Sequence, residues 1–536
     1  MSNAVRFTRR QATATIAAGL SLVASATRAR ADKQSNTVVF GQSVPVTHIG
    51  PDYGAFLRYP AGYEVGYILF DRLVTFDADL HIRPQLAERW QMSDDQKSAT
   101  FHLRANVKFQ DGTALDAEAV KASLERMLDP VRNTTNGPIW SPIAGADVLD
   151  RLTVRVRTKQ PYALLLNTLA HGSGAIVSPT ALKTNGDKSM GTQPVGAGPY
   201  MLESFNQGQE VVLKAFPDYW GGKPKLDKII FRYIPEASTR IAALKTGSVD
   251  VIDDIPSHLV ASIRQDKNLD VIARPGLRPM GLALLNSREP YNDVRVRRAL
   301  NYAVPVKAIA DKLFFGFAHA SDSPLAFNTY GHKSVGSYTY DPKRASSLLA
   351  EAGFKKNSAG VLERDGKPFE MRLITSDGMF PGDLQVAEVA AKSFQDLGIK
   401  VDVKKVERGT YWDYLRGPLA QLTWDVAVFG FNPSNGAGSY HLDAVFKSNA
   451  DDSKRPSSWN IARYHNADVD RLIEQAKVTV DAKKHTELLG EAQKLIWDDA
   501  PYVFLQVNDI ISAKRKDLEG VEVWPIIFTI VRNAHY

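Results

Sequence analysis

The chain has 536 residues, 44% hydrophobic and 23% charged, which places it among folded globular proteins and excludes a disordered or fibrous chain. At roughly 150 residues per domain the length accommodates about three domain-sized units. The formal charge of +7 invites a nucleic-acid reading, but Arg6, Arg9, Arg10, Arg28 and Arg30 supply five of those charges with no acid among residues 1–31. The remaining +2 is no electrostatic footprint for DNA or RNA.

Residues 1–31 have the three parts of an export signal: a basic start ending in Arg9-Arg10, an uncharged stretch from Ala12 to Ala26, and the A-x-A site Ala29-Arg30-Ala31. Ala24-Ser25-Ala26 is the alternative cleavage site. The stretch is shorter than the roughly twenty residues a membrane span needs. The arginine pair resembles a twin-arginine signal, although Ala12 stands where a large apolar residue is usual, so the general secretory route stays open. The absence of cysteine excludes disulfides, a thiolate nucleophile, a Cys-bound metal and a lipidated N-terminal cysteine. Together these features place the mature protein in the periplasm of a Gram-negative-type cell.

Strand and helix signals alternate along the mature chain. Thr37–Phe40 is a short β run, Ala99–Leu103 and Leu152–Val156 alternate at period two, and Val211–Lys214 and Ile229–Ile234 flank the Trp220-Gly221-Gly222 turn. Asp116 is placed to cap a helix beginning at Ala117. Further helices are predicted over Ala237–Thr246, closed by Gly247, and from Asp341-Pro342 to Ala352, closed by Gly353. Asp383–Leu397 and Ala467–Thr479 complete the set. The mixture defines an α/β protein. The histidines lack zinc-ligand spacing, and no Gly-x-Ser-x-Gly elbow or phosphate loop is present, so no metal or cofactor is called for.

Leu86-Ala87-Glu88-Arg89-Trp90 followed by Phe101 to Thr113 resembles the signature of the family 5 extracellular solute-binding proteins, the peptide- and nickel-type receptors of ABC importers. The resemblance continues, in family order, through Pro194 to Tyr200, Asp218-Tyr219-Trp220, Ala242 to Asp250, Val294 to Ala303, Ala345 to Phe354 and Tyr464 to Ile473. It implies a two-lobed clamp, of the type II periplasmic-binding-protein kind, with an extra α/β domain in lobe one. A small-molecule or peptide ligand would lie at the lobe interface of a monomer that docks on a membrane permease and does no chemistry. By the same resemblance lobe one covers 32–280 with the extra domain at about 75–195, lobe two covers 281–507, and 508–536 returns to lobe one. An exported hydrolase or a chaperone on the same fold is the alternative of a different class.

In peptide-binding members a lobe-two loop carries an acid that pairs with the peptide α-ammonium. The corresponding loop here runs from Phe431 to Leu442, and Ser439 stands where the glutathione-type branch usually has an acid. An ammonium buried without a partner is strongly disfavoured. A modified peptide, a glutathione-like compound, an opine, a sugar conjugate or a metal chelate therefore joins free peptides as candidate cargo. Phe431 is read as an apolar wall, with Asn432, Ser434, Asn435 and Ser439 as polar contacts. Trp459, Asn460 and Arg463 form a second cluster in which Arg463 would fork onto a carboxylate. Tyr63, with Tyr53 and Tyr59, would stack from lobe one, and Ser376-Asp377 lies at a strand end where α/β clefts open. Asp425 is expected to face solvent or a lobe-one helix, and Arg295, Arg297 and Arg298 to form a solvated face.

Overall fold

The computed structural model describes residues 36–50, 60–129, 137–186, 191–456 and 458–536. The export signal, Tyr53 and Tyr59 lie outside the described residues. Among those described, no helix is long and apolar enough to cross a membrane.

Two long antiparallel strands, Leu269–Leu284 and Tyr502–Arg515, tie two α/β halves into one eleven-stranded sheet. On one side, Tyr502–Arg515 is followed in order by Val251–Ile252, Thr37–Gln42, Lys228–Tyr233, Glu210–Ala215 and Tyr200–Asn206. On the other, Leu269–Leu284 pairs with Val426–Gly430, which pairs in parallel with Glu370–Thr375 and through it with Lys400–Lys405. The register between the two long strands shifts between Pro275 and Pro279 and again between Pro279 and Gly281. Proline has no N–H to give to a ladder, so two of them in this stretch weaken the pairing where the chain passes from one half to the other.

Each half buries both faces of its sheet. Val38 and Phe40 point into a core completed by Ile68, Leu69, Ile229 and Phe231, while Val39 between them points to Ile241, Leu244, Val260 and Ile263 on the opposite face. The second half has its own core, from Leu282 and Val296 through Val428 to Leu489 and Val503. A separate four-stranded antiparallel sheet (Ala87–Met92, Ser98–Leu103, Thr153–Thr158, Ile143–Asp150) carries the helix Ala117–Leu128 and a third core around Phe101, Phe109, Leu124 and Trp140. This is the two-lobed α/β architecture with an added α/β unit.

Local signals explain the elements. Asp116 accepts from Ala119 N at 3.0 Å and Asp341 from Arg344 N at 2.9 Å, the cap geometry their spacing predicted. Gly247 and Gly353 end their helices at φ of 75° and 90°. Gly196 and Gly198 pack against the backbone of residues 68 and 69. A Cβ on either would come within about 2.3 Å of the carbonyl oxygen of Leu69 or Ile68, so close backbone approach requires glycine there.

Two expectations about charged residues are corrected. Asp425 is buried at 5% exposure and accepts from Arg288 Nη1 at 2.8 Å, Arg372 Nε at 2.9 Å and Arg372 Nη2 at 2.7 Å. Arg372 N also donates to it at 2.9 Å, so the carboxylate staples Val426–Gly430 to its parallel neighbour. Although burial opposes ionisation, these hydrogen bonds hold its pKa below the usual carboxylate value. Arg297, 7% exposed, donates to the carbonyls of Asp499 and Tyr291, and Arg298 to that of Asp498. They cap the carboxyl end of the helix Ala482–Asp499, whose last carbonyls have no helical partner.

Asp425→Asn should cost about 3 kcal/mol, because it leaves two partly desolvated guanidinium groups short of an anion. Urea unfolding at pH 7 measures the loss. The wild-type advantage should shrink as pH falls through the depressed pKa of Asp425, since the stabilising form is the carboxylate.

Candidate functional site

Met280 pairs with Gly430 and Pro279 with Val507. One step further along each chain, Arg278, Phe431-Asn432 and Asn508 meet where lobe two faces lobe one. Gln506 lies beside them, paired to Ala320 of a short third strand. Gln506 and Asn508 share one face of their strand by simple alternation, beyond the register shift that separates them from Phe504.

This edge holds polar groups with no partner among the described residues. Gln506 is 0% exposed, and neither its Nε2 nor its Oε1 finds a partner among the described residues. Asn432, 1% exposed, is in the same position at both Nδ2 and Oδ1, and so is the half-buried Asn508. Asn435 Nδ2, Ser439 Oγ, His441 Nδ1 and Tyr502 OH add to the set. Buried polar atoms are paired as a rule, and each unpaired one costs about 1–3 kcal/mol. A group of carboxamides left open to both donors and acceptors is chemically complementary to a solute rich in amide or hydroxyl groups. Burial depresses the His441 pKa to about 3, so its imidazole is neutral at physiological pH.

The Phe431–Ser439 loop spans the rim between lobes. Asn167 Nδ2 donates to Asn435 O at 3.0 Å, and a Cβ on Gly436 would touch Leu80 at 3.3 Å. Ala437 belongs to the core cluster of the added unit, together with Tyr63 and Leu277. Asn435 Oδ1 accepts from Ala437 N, which shapes the turn, and the Tyr440 phenol hydrogen-bonds Ser434. Phe431 is 3% exposed and lies 5.5 Å from the His441 ring, 5.7 Å from Tyr440 and 6.0 Å from Trp459. The structure thus brings Phe431, Asn432, Asn435 and Ser439 together.

The second predicted cluster is divided. Trp459 packs on Phe431 and lies under the Arg416 guanidinium at 4.3 Å. Asn460 is committed to backbone: its amide donates to Lys447 O and Tyr464 O, and its oxygen accepts from Tyr464 N. Arg463, at φ +53° and 1% exposure, turns inward to Gly417 O and lies 3.7 Å from Asp452. The carboxylate beside it is therefore the protein's own. Tyr63 stacks against Phe528 at 6.0 Å in lobe one. Ser376 is buried with Oγ unpartnered, whereas Asp377 pairs with Lys405 at 3.3 Å. Gln506, Asn508, His441 and Arg278 were not singled out from sequence. The available signal was two amides at alternate positions of one strand.

Lobe one meets the cleft with the carboxyl ends of Thr37–Gln42 and Val251–Ile252. There Glu64 accepts from Gln42 Nε2 and Thr529 N, and Asp253 from Ser43 N at 2.7 Å. Burial and neighbouring negative charge raise both carboxyls, Asp253 to about 7.

Two α/β lobes joined by crossing strands, with unpartnered buried polar groups where they meet, define a binding clamp. The model of the bacterial extracellular solute-binding proteins, family 5 (middle), matches residues 81–453. The glutathione-binding protein GsiB of Salmonella paratyphi A is 33% identical over 487 residues, covering 90% of this chain and 92% of that one. Its Escherichia coli O1:K1 counterpart is 31% identical over 493 residues, covering 91% and 93%. Among solved structures, NikZ from Campylobacter jejuni with Ni(L-His) has a TM-score of 0.81 at 24% identity, covering 94% of this chain and all of that one. MoaA from A. tumefaciens R10 with mannopinic acid has a TM-score of 0.77 at 26% identity, covering 93% and 99%. The chain belongs to the family 5 extracellular solute-binding proteins.

Gln506→Leu should raise the melting stability of the solute-free protein by about 1–2 kcal/mol, since it removes two unpaired buried atoms. The same change should abolish any solute-induced rise in melting temperature, read by differential scanning fluorimetry. His441→Gln should flatten the acid side of the stability curve. A histidine at about 3 when folded and near 6.5 when unfolded contributes fully above pH 6.5 and loses about 1 kcal/mol per pH unit below it.

Proposed function

We propose that this chain is a periplasmic receptor that captures a peptide or peptide-like solute between its lobes and delivers it to an ABC permease. The observation that carries the reading is the unpartnered amide lining, Asn432, Asn435, Gln506 and Asn508, at the lobe junction. Peptide bonds present alternating donors and acceptors, which carboxamides match and apolar walls do not. The similarity to glutathione-binding proteins along 90% of the chain supports a small peptide-like cargo over a long peptide. Ser439 in the rim loop offers a hydroxyl where a carboxylate would hold an α-ammonium, so a free amine contributes little to affinity. The proposed division sets lobe one at 32–280 with 508–536, the added unit at about 75–195 inside it, and lobe two at 281–507. Capture proceeds by closure about the register shifts at Pro275–Gly281.

A thermal-shift panel on residues 32–536, with dipeptides, tripeptides, N-acetylated peptides, glutathione and mannopinic acid, tests the reading. A solute at a hundred times its dissociation constant adds about 2.7 kcal/mol of stability. N-acetylation of a bound peptide should change its affinity less than threefold. Ser439→Asp should strengthen binding of free-amine peptides about tenfold and leave N-acetylated ones unchanged, read by calorimetric titration. Abolition of binding by N-acetylation in the wild type would refute the account of the rim loop.

A further inference from the structure

Most of the arginines set into the framework have partners. Arg288 and Arg372 reach Asp425, Arg297 reaches two carbonyls, and Arg532 reaches Asp71 at 2.6 Å. Arg278 does not. It stands on the crossing strand within the first register shift, half-buried, and none of its five N–H donors meets a described residue. Among the described residues no carboxylate lies within 4 Å of it. Only the charge of Asp254 acts on it from the lobe-one edge, and desolvation pulls its pKa below the ordinary arginine value.

Its position is built rather than incidental. The stem runs over Gly430, where a Cβ would come within 3.0 Å of Arg278 Cδ and 2.4 Å of Met280 Sδ, so glycine at 430 keeps its path clear. The guanidinium ends 5.5 Å from the Phe380 ring centre, a contact that offsets part of its desolvation and leaves the N–H groups free. Phe380 is itself fixed. Its backbone N–H donates to Asp383, as do those of Gly378 and Met379. The continued register of Met280 with Gly430 brings Asn432 alongside Arg278, and Asn508 lies across the bulge. An arginine remains protonated at such a site, so a partly desolvated, unanswered cation stands beside a patch of unanswered amides.

We propose that Arg278 receives a carboxylate of the bound solute in a forked hydrogen bond, and that the cargo is therefore an acidic peptide-like or amide-bearing carboxylic acid. This rests on the cleft being the solute site, and it adds which charge the solute carries and which residue reads it. Because Arg278 lies within the first register shift, the solute's anionic group joins both lobes at the point of bending.

The test is calorimetric titration of the mature wild type, Arg278→Gln and Arg278→Lys with glutathione, trialanine and mannopinic acid. Glutathione diethyl ester and trialanine amide serve as blocked counterparts. For whichever acid binds, Arg278→Gln should weaken affinity about thirtyfold and Arg278→Lys by less. The blocked form should bind wild type and Arg278→Gln within threefold of each other. Solute-free Arg278→Gln should melt at or above the wild-type temperature, as expected for removal of an unpaired charge and not for loss of a structural contact. Unchanged affinity of Arg278→Gln for an acid that the wild type binds would overturn the inference and leave the cleft assignment standing. So would a solute-free Arg278→Gln that melts well below wild type while the lysine variant restores stability. A wild type that binds none of the five compounds would overturn both the cargo reading and the inference.

Discussion

Everything in this molecule depends on one antiparallel ribbon. Leu269–Leu284 and Tyr502–Arg515 enter the sheets of both lobes, so each lobe uses the same two strands as part of its own core. Leu282 and Val503 are buried among the residues of lobe two, while Ile511 and Ala513 are buried in lobe one. The ribbon cannot be removed from either without unpairing a sheet, yet its ladder is broken where Pro275 and Pro279 fall. That combination gives two stiff bodies with a compliant joint. It also brings the side chains just past the joint into the space between the bodies.

The chemistry of that space follows from what the cores refuse. Lobe cores take up Val, Leu, Ile and Phe, and they satisfy their few buried charges internally, as Asp425 shows with its two arginines. Backbone hydrogen bonding holds the strands whatever the side chains on the cleft edge are. Amides at 432, 506 and 508 can therefore stay unpaired without loosening the fold, and the stability they withhold is available to a solute that pairs with them. The aromatic cluster of Phe431, Tyr440, His441 and Trp459 backs the loop so that its polar groups point where the lobes meet.

The framework was readable from local rules because local physics determines it. Caps at Asp116 and Asp341, stops at Gly247 and Gly353, and period-two runs such as Ala99–Leu103 report interactions within a few residues of each other. The candidate site was only half readable. The rim loop has a distinctive composition and stands out in the sequence, but Gln506, Asn508 and Arg278 sit in ordinary-looking strands. Their significance comes from a strand crossing more than two hundred residues apart in sequence, which no local pattern encodes. No local pattern shows that Asn460 is held by the backbone of Lys447 and Tyr464. Asp425 was misplaced for the same reason, because its two arginines come from distant segments.

The unpartnered lining has an evolutionary consequence. A side chain with no hydrogen-bond partner among the described residues can be exchanged without dismantling a network, so substitutions at 278, 432, 506 or 508 meet little purifying pressure from folding itself. Cargo preference can then drift by single steps while the ribbon and the two cores stay the same. A lineage built this way would diversify its diet faster than its architecture. In such a lineage the handful of side chains at the joint records cargo preference more finely than overall sequence identity, which carries only its broad class.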